Sequence, residues 1–164
     1  NTAIKADLAD PELYENSVRV MKYLNKDSGE LMNKHGIKGA TDITGFGLLG
    51  HSAEVAEASG VTLEIDVNSV PILPGVMELA KDGIIPAGRY NNEKHLAGKV
   101  HFTGDVTEAM KDILFDPQTS GGLLICVPPE RLEDFKVDMA LRNQTTWAVI
   151  GRVRSSGACL VEVR

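Results

Sequence analysis

The sequence is poor in cysteine, in aromatics and in clustered positive charge, and each shortage closes off a class of function. Two cysteines among 164 residues cannot build a disulfide framework. Cys126 lies in the apolar run Leu123-Leu124-Ile125-Cys126-Val127 and Cys159 in Ala158-Cys159-Leu160-Val161, surroundings that suit inert buried thiols and a reducing, cytoplasmic setting. One Trp, three Tyr and four Phe leave little for base-stacking platforms. Seventeen Lys and Arg stand against 23 Asp and Glu, for a net charge of -6, and they are scattered, which argues against a nucleic-acid surface. No apolar run approaches the length that spans a bilayer, so no membrane partner is expected. The opening Asn1-Thr2-Ala3-Ile4-Lys5-Ala6-Asp7 has neither the basic start and apolar stretch of a signal peptide nor an initiator Met, and reads as the start of an excised piece of a longer protein. With mean hydropathy of -0.09, the expectation is one globular domain large enough for its own core.

What the sequence does contain is a glycine turn loaded with oxygen ligands. Ala40-Thr41-Asp42-Ile43-Thr44-Gly45-Phe46-Gly47-Leu48-Leu49-Gly50 sets a carboxylate and two threonine hydroxyls beside a turn that opens a helix. Unpaired N–H groups and the positive end of a helix dipole attract an anion there, and glycine lets it approach the main chain. An aspartate would repel a phosphate unless a hard cation lay between them, and Mg2+ takes one or two carboxylates together with phosphate oxygens and waters. Asp42 is therefore the first candidate metal ligand.

Gly45, Gly47 and Gly50 also spell G-x-G-x-x-G, with Asp66 on the strand that follows, which raises a dinucleotide-binding unit. That fingerprint needs a buried apolar strand running into the first glycine, whereas Gly36-Ile37-Lys38-Gly39-Ala40-Thr41-Asp42 precedes it here. The dinucleotide alternative predicts a parallel strand entering Gly45. A purely structural turn is the plainer alternative.

Around this turn the pattern predicts helices and strands in blocks. Asp10-Pro11 starts a helix over 11–25 with Tyr14, Val18, Met21 and Leu24 on one face, and Asp27 with Glu30 suggests a capping box. Phe46, Leu49, Ala53 and Ala56 form the apolar face of the next helix, which Gly60 ends. Strict alternation from Val61 to Val67 predicts a strand with one buried face. A short helix is expected from Pro71 and Pro74 to Lys81, then an irregular connection over 82–99, then a helix opened by Asp105 and Glu108. Leu123 to Val127 reads as a central strand covered on both faces. After a helix with Leu132, Phe135 and Met139 inward, 147–154 and 158–163 read as a hairpin around Ser155-Ser156-Gly157. Such block order points to an α+β sandwich.

A second loop, Asp116-Pro117-Gln118-Thr119-Ser120-Gly121-Gly122, offers many donors and acceptors ahead of that apolar strand, although turn chemistry alone can explain it. His35, His51, His95 and His101 are isolated and form no zinc pattern; His51 sits one turn into the glycine-opened helix, where a packing or capping role is expected. Glu54, Glu57, Glu130, Glu133 and Asp134 read as solvated helical positions.

The two loops, from Thr41 to His51 and from Asp116 to Leu123, resemble the C-terminal domain of the selenophosphate synthetase (selenide, water dikinase) family, with Arg89-Tyr90-Asn91-Asn92 as support, and the likeness runs over essentially the whole chain. The second loop is shared with the aminoimidazole ribonucleotide synthetase superfamily at large, while Phe46 and the Leu-Leu-Gly-His continuation select the selenium enzymes. The resemblance implies the α/β sandwich of that superfamily's C-terminal domains, with a mixed sheet packed with helices. It also implies synthesis of selenophosphate, AMP and phosphate from ATP, selenide and water, with Mg2+. Asp42 completes the Mg2+ shell, Thr41, Thr44, Gly45 and Gly47 shape the metal-phosphate wall, and Gln118, Thr119 and Ser120 fall in the inter-domain cleft. No catalytic residue is expected in this chain, since the family's N-terminal domain carries the catalytic Cys or selenocysteine, a Lys, a glycine-rich segment and most metal-binding aspartates. The expected partners are that domain and a second copy in a homodimer, and the isolated chain should bind ATP poorly and turn nothing over. The alternatives are aminoimidazole ribonucleotide synthetase, the hydrogenase-maturation dehydratase, or a regulatory relative without chemistry.

Overall fold

A computed structural model describes residues 2–142 and 147–164. After a single turn, α1 (Thr2–Lys5), the chain forms α2 (Pro11–Lys22). The Asp10 carboxylate accepts from the Leu13 N–H at 2.7 Å and Pro11 occupies the first turn, as the sequence predicts, but the helix stops before Leu24. α3 (Lys26–Lys34) follows without a side-chain cap. Asp27 and Glu30 do not form a capping box; both carboxylates turn to Arg142, at 3.3 and 3.0 Å, and tie this helix to the far end of the chain.

Next come β1 (Gly39–Asp42) and α4 (Gly47–Ser59), which Gly60 closes at φ 64°. Gly60 leads directly into β2 (Val61–Ile65). Beyond a 3-10 turn lie α5 (Val76–Lys81), α6 (Gly88–His95) and β3 (Val100–Phe102). α6 thus occupies the middle of what the sequence presents as an irregular connection. α7 (Glu108–Leu114) is capped by Thr107 rather than Asp105. The remaining elements are β4 (Leu123–Cys126), α8 (Leu132–Leu141), β5 (Gly151–Ser155) and β6 (Val161–Val163). The expected strand over 147–154 is therefore shorter, and Ser155 belongs to β5.

The strands form two sheets. One is the antiparallel ribbon β1-β4; the other is mixed, in the order β3-β6-β2-β5, with β2 antiparallel to β5 and β6 parallel to both β2 and β3. The fold is α+β with a mixed sheet, as expected. The predicted hairpin of the last two strands is not formed, because β2 lies between them. Val161 and Val163 are wholly buried, so β6 takes an inner place, whereas every residue of β5 is exposed and the strand sits at the edge.

β4 is covered on both faces but is not central, having β1 as its single strand partner among the described residues. Its alternate side chains serve different cores. Leu124 packs against the core that includes Leu49, Leu114 and Phe115, while Ile125, with Val127 just past the strand, packs against the one formed by Leu31, Ile37, Phe135 and Met139. The ribbon divides the larger core from a smaller one beneath α3 and α8. With both faces packed, its direction is fixed, and so is the place where its loops emerge.

Alternation in β2 also misleads. Leu63 and Ile65 enter the core as predicted, but Thr62 and Glu64 are buried too. Glu64 is enclosed by Arg152, Arg154 and Arg164, at 2.9, 2.8 and 2.6 Å.

Candidate active-site wall

The β1-β4 ladder pairs Gly39 with Cys126 and ends with Asp42 opposite Leu123, yet its hydrogen bonding runs on past the strands. Ile43 N–H donates to Gly122 O at 2.9 Å, Gly121 N–H to Ile43 O at 2.8 Å, and Gln118 N–H to Thr44 O at 3.0 Å. The two loops singled out in the sequence are thereby laced into one wall.

Glycine is required where the two loops press together. At Gly47 φ is 70°, and a Cβ would lie 2.7 Å from Asp116 O and 3.1 Å from the Phe115 carbonyl carbon. At Gly121 a Cβ would run into the Gln118 side-chain amide and Ile43 O. The glycines press one loop backbone onto the other. At Gly45, in contrast, a Cβ would meet nothing within 4 Å, so this position faces open space.

Asp42 is exposed at the end of β1, and Thr41 donates to its backbone carbonyl at 3.3 Å. The Thr44 hydroxyl lies 3.1 Å from His51 Nε2, and His51 Nδ1 lies 2.8 Å from Glu54. The Glu54 carboxylate accepts from Nδ1–H, and the ring so oriented presents Nε2 to the Thr44 hydroxyl. His51, 8% exposed, holds Thr44 in place; this is the packing role expected of it, and Glu54 is its anchor. Phe46 departs from its expected apolar face. It is 48% exposed, stacked on His95 with 6.0 Å between centroids and tilted against His51. No side chain caps the α4 N-terminus behind it, although Gly47 N–H is taken by Thr44 O at 2.9 Å.

On the second loop, Asp116 is largely withdrawn from water, and burial pushes its carboxyl up to about 6. The Gln118 side chain folds over Gly121. Thr119 is exposed and Ser120 is half-buried. Asn92, on α6, donates through one buried amide to Gly45 O in the first loop and to Phe115 O, the residue just before the second.

Comparison with known proteins bears directly on this wall. Residues 2–163 match the family described as AIR synthase related protein, C-terminal domain. The chain belongs to that family.

Among curated relatives, the selenide, water dikinase of Caldanaerobacter subterraneus subsp. tengcongensis is 46% identical over 164 residues, all of this chain and 47% of the relative. That of Clostridioides difficile is 42% identical over 163 residues, 99% of this chain and 47% of the relative. Selenide, water dikinase 2 of Peptoclostridium acidaminophilum is 44% identical over 155 residues, covering 94% and 44%. The chain spans about half the length of these relatives.

Family membership and topology together remove the dinucleotide alternative. β1 enters the turn antiparallel to β4, and the strand after α4 belongs to the other sheet, so no parallel βαβ unit surrounds Gly45. The structure lays the segment that carries Thr41, Asp42, Thr44, Gly45 and Gly47 against the loop that carries Gln118, Thr119 and Ser120, with direct bonds at Thr44–Gln118 and through Ile43. It gives Gly47 a spacing role, against Asp116. Two residues the pattern did not single out individually are Asp116 and Asn92. The Asp-Pro start of the second loop marks the former as a turn residue only, and nothing in the Asn91-Asn92 pair separates the buried amide from its exposed neighbour.

The donor set fits a share in a hard-cation site. Asp42 supplies an exposed carboxylate, with Thr41 and Thr44 beside it, while among the described residues no group of three or more His, Cys, Asp or Glu is placed to hold a metal ion. One carboxylate does not make a complete Mg2+ shell. Among the described residues no helix is long and apolar enough to cross a membrane.

Proposed function

We propose that this chain works as the C-terminal half of a selenide, water dikinase, converting ATP, selenide and water to selenophosphate, AMP and phosphate in the cytoplasm of the cell, in a homodimer of the full-length protein. The observation that carries this reading is the exposed carboxylate of Asp42, held at the mouth of two laced loops in a chain 42–46% identical to proteins so named.

In this reading the wall is one side of a cleft whose other side belongs to the half that the relatives have beyond this chain. Asp42 is this half's Mg2+ ligand. Bound Mg2+ would neutralise charge on the triphosphate. Thr44 keeps a hydroxyl beside it because His51 and Glu54 fix its rotamer, and Gly45 leaves room for a phosphate oxygen near the main chain. Gly47 and Gly121 keep the loops close enough to act as one surface. Gln118, Thr119 and Ser120 line the cleft, where their polar groups meet substrate or the facing domain.

The test is AMP formation by the full-length protein with and without selenide. Selenide-dependent AMP and selenophosphate are expected. AMP formation indifferent to selenide would move the assignment to another member of the superfamily. Calorimetric titration of the 164-residue chain alone with ATP and Mg2+ should show weak binding; tight binding would contradict the shared cleft.

A further inference from the structure

The residues assigned above lie at the end of β1, in the turn and helix that follow and on the 116–122 loop, and such a wall is only as precise as whatever fixes the distance between its parts. Backbone lacing joins the loops at Ile43 and Thr44. The tip of the first loop, at Gly45, makes no such bond to the second. One side chain bridges that gap. The Asn92 amide nitrogen donates to Gly45 O at 3.1 Å and to Phe115 O at 2.9 Å, and the residue is 7% exposed.

The helix that carries it is built to press on both loops. At i-4 from Asn92, a Cβ on Gly88 would lie 2.9 Å from Pro117 Cγ; at i+3, His95 stacks on Phe46. Residues at this spacing share one helix face, so Gly88 meets the second loop at Pro117, Asn92 joins Gly45 of the first loop to Phe115 at the entry of the second, and His95 meets the first loop at Phe46. Arg89, 4% exposed, ties α6 to α7 through its ion pair with Asp112 at 2.5 Å, and pairs within the helix with Glu93. A buried primary amide has two N–H donors, and two carbonyls accept from this one, Gly45 O in the first loop and Phe115 O at the end of α7, the residue that leads into the second.

We infer that Asn92 is a positioning residue that sets the separation of the Asp42 loop from the 116–122 loop, a step that rests on the reading of these loops as the phosphate-binding wall. It touches no substrate; it acts through Gly45 and Phe115. The same geometry explains why α6 is helical within a Gly- and Asn-rich stretch, since its inward face has three contacts to satisfy.

The test compares Asn92→Asp, which keeps the shape and removes both donors, with Asn91→Ala at the exposed neighbour, in the full-length protein. Two readouts are needed, amide hydrogen exchange at Gln118 and Gly121 and the steady-state kinetics of selenide-dependent AMP formation. Asn92→Asp should speed exchange at both amides, which lace the second loop to the first, and lower kcat by about 100-fold, the order of loss for a misplacement near 1 Å, with KM for ATP little changed. Asn91→Ala should move neither. Unchanged loop exchange and kcat in Asn92→Asp would overturn the inference, and so would a lowered Tm with kcat intact. If Asn92→Asp does not fold, Asn92→Ser retains one hydroxyl donor and carries the same measurements, with faster loop exchange expected and unchanged exchange overturning the inference. Should the wild-type enzyme prove indifferent to selenide, the selenium reading fails while the exchange comparison still decides the role of Asn92.

Discussion

Two carboxylates on strands of different sheets have opposite circumstances. Glu64, in the middle of β2, is 2% exposed and surrounded by three arginines; burial raises its pKa, but hydrogen bonds from Arg152 and Arg154 outweigh this and hold it below the ordinary value. Asp42, at the end of β1, stands exposed beside hydroxyls and a helix start. The first is a finished electrostatic unit whose charge is used up within the fold. The second is not enclosed in this way and stands open to a ligand.

Asp42→Asn should break the comparison most severely. In the full-length enzyme it should lower selenide-dependent turnover by about 100-fold or more, as for loss of one charge-stabilising group, while Tm stays within the small range of surface substitutions. Gly47→Ala comes next. The positive φ and the contact with Asp116 O predict a loss of about 1–3 kcal/mol in urea denaturation, and with it a displaced wall. Both carboxylate contexts are then separable by stability and activity measured on the same variants.

Glu64→Gln should do the reverse of Asp42→Asn, lowering Tm at neutral pH with kcat nearly unchanged. Because the folded pKa of Glu64 is depressed, its contribution to stability is present above the unfolded value and disappears as pH falls through the folded one. Acid unfolding of the wild type should show this loss, and the Gln variant should show less of it. Asp116→Asn is the smallest and has the opposite sign. With a folded pKa of about 6 against an unfolded value of 3.8, the wild type loses stability as pH rises between these values. The Asn variant should therefore be more stable at pH 7, with the advantage gone near pH 3; thermal melts across that range check it.

What was legible in the sequence was local. The turn at 41–47, the Asp10 cap, the Gly60 stop and the second loop all announce themselves through neighbouring residues, because caps and glycine turns are decided within a few positions. The α+β class followed from the block order of elements. Long-range pairings were not legible. Glu64 looks solvent-facing by alternation, but its arginines lie 88 to 100 residues later. The last two strands resemble a hairpin because only a turn separates them, yet burial of Val161 and Val163 draws β6 to the far side of β2. Asn92 meets Gly45 and Phe115, 47 and 23 residues away, and no periodicity records such a bond.

The central claim is that Asp42 belongs to a shared phosphate site and not to the scaffold. The most direct measurement is selenide-dependent AMP formation by the full-length protein, wild type against Asp42→Asn, with Tm recorded on both. A collapse of turnover at unchanged Tm is the result predicted; an Asp42→Asn enzyme with wild-type turnover would contradict the account and reduce the glycine turn to scaffolding.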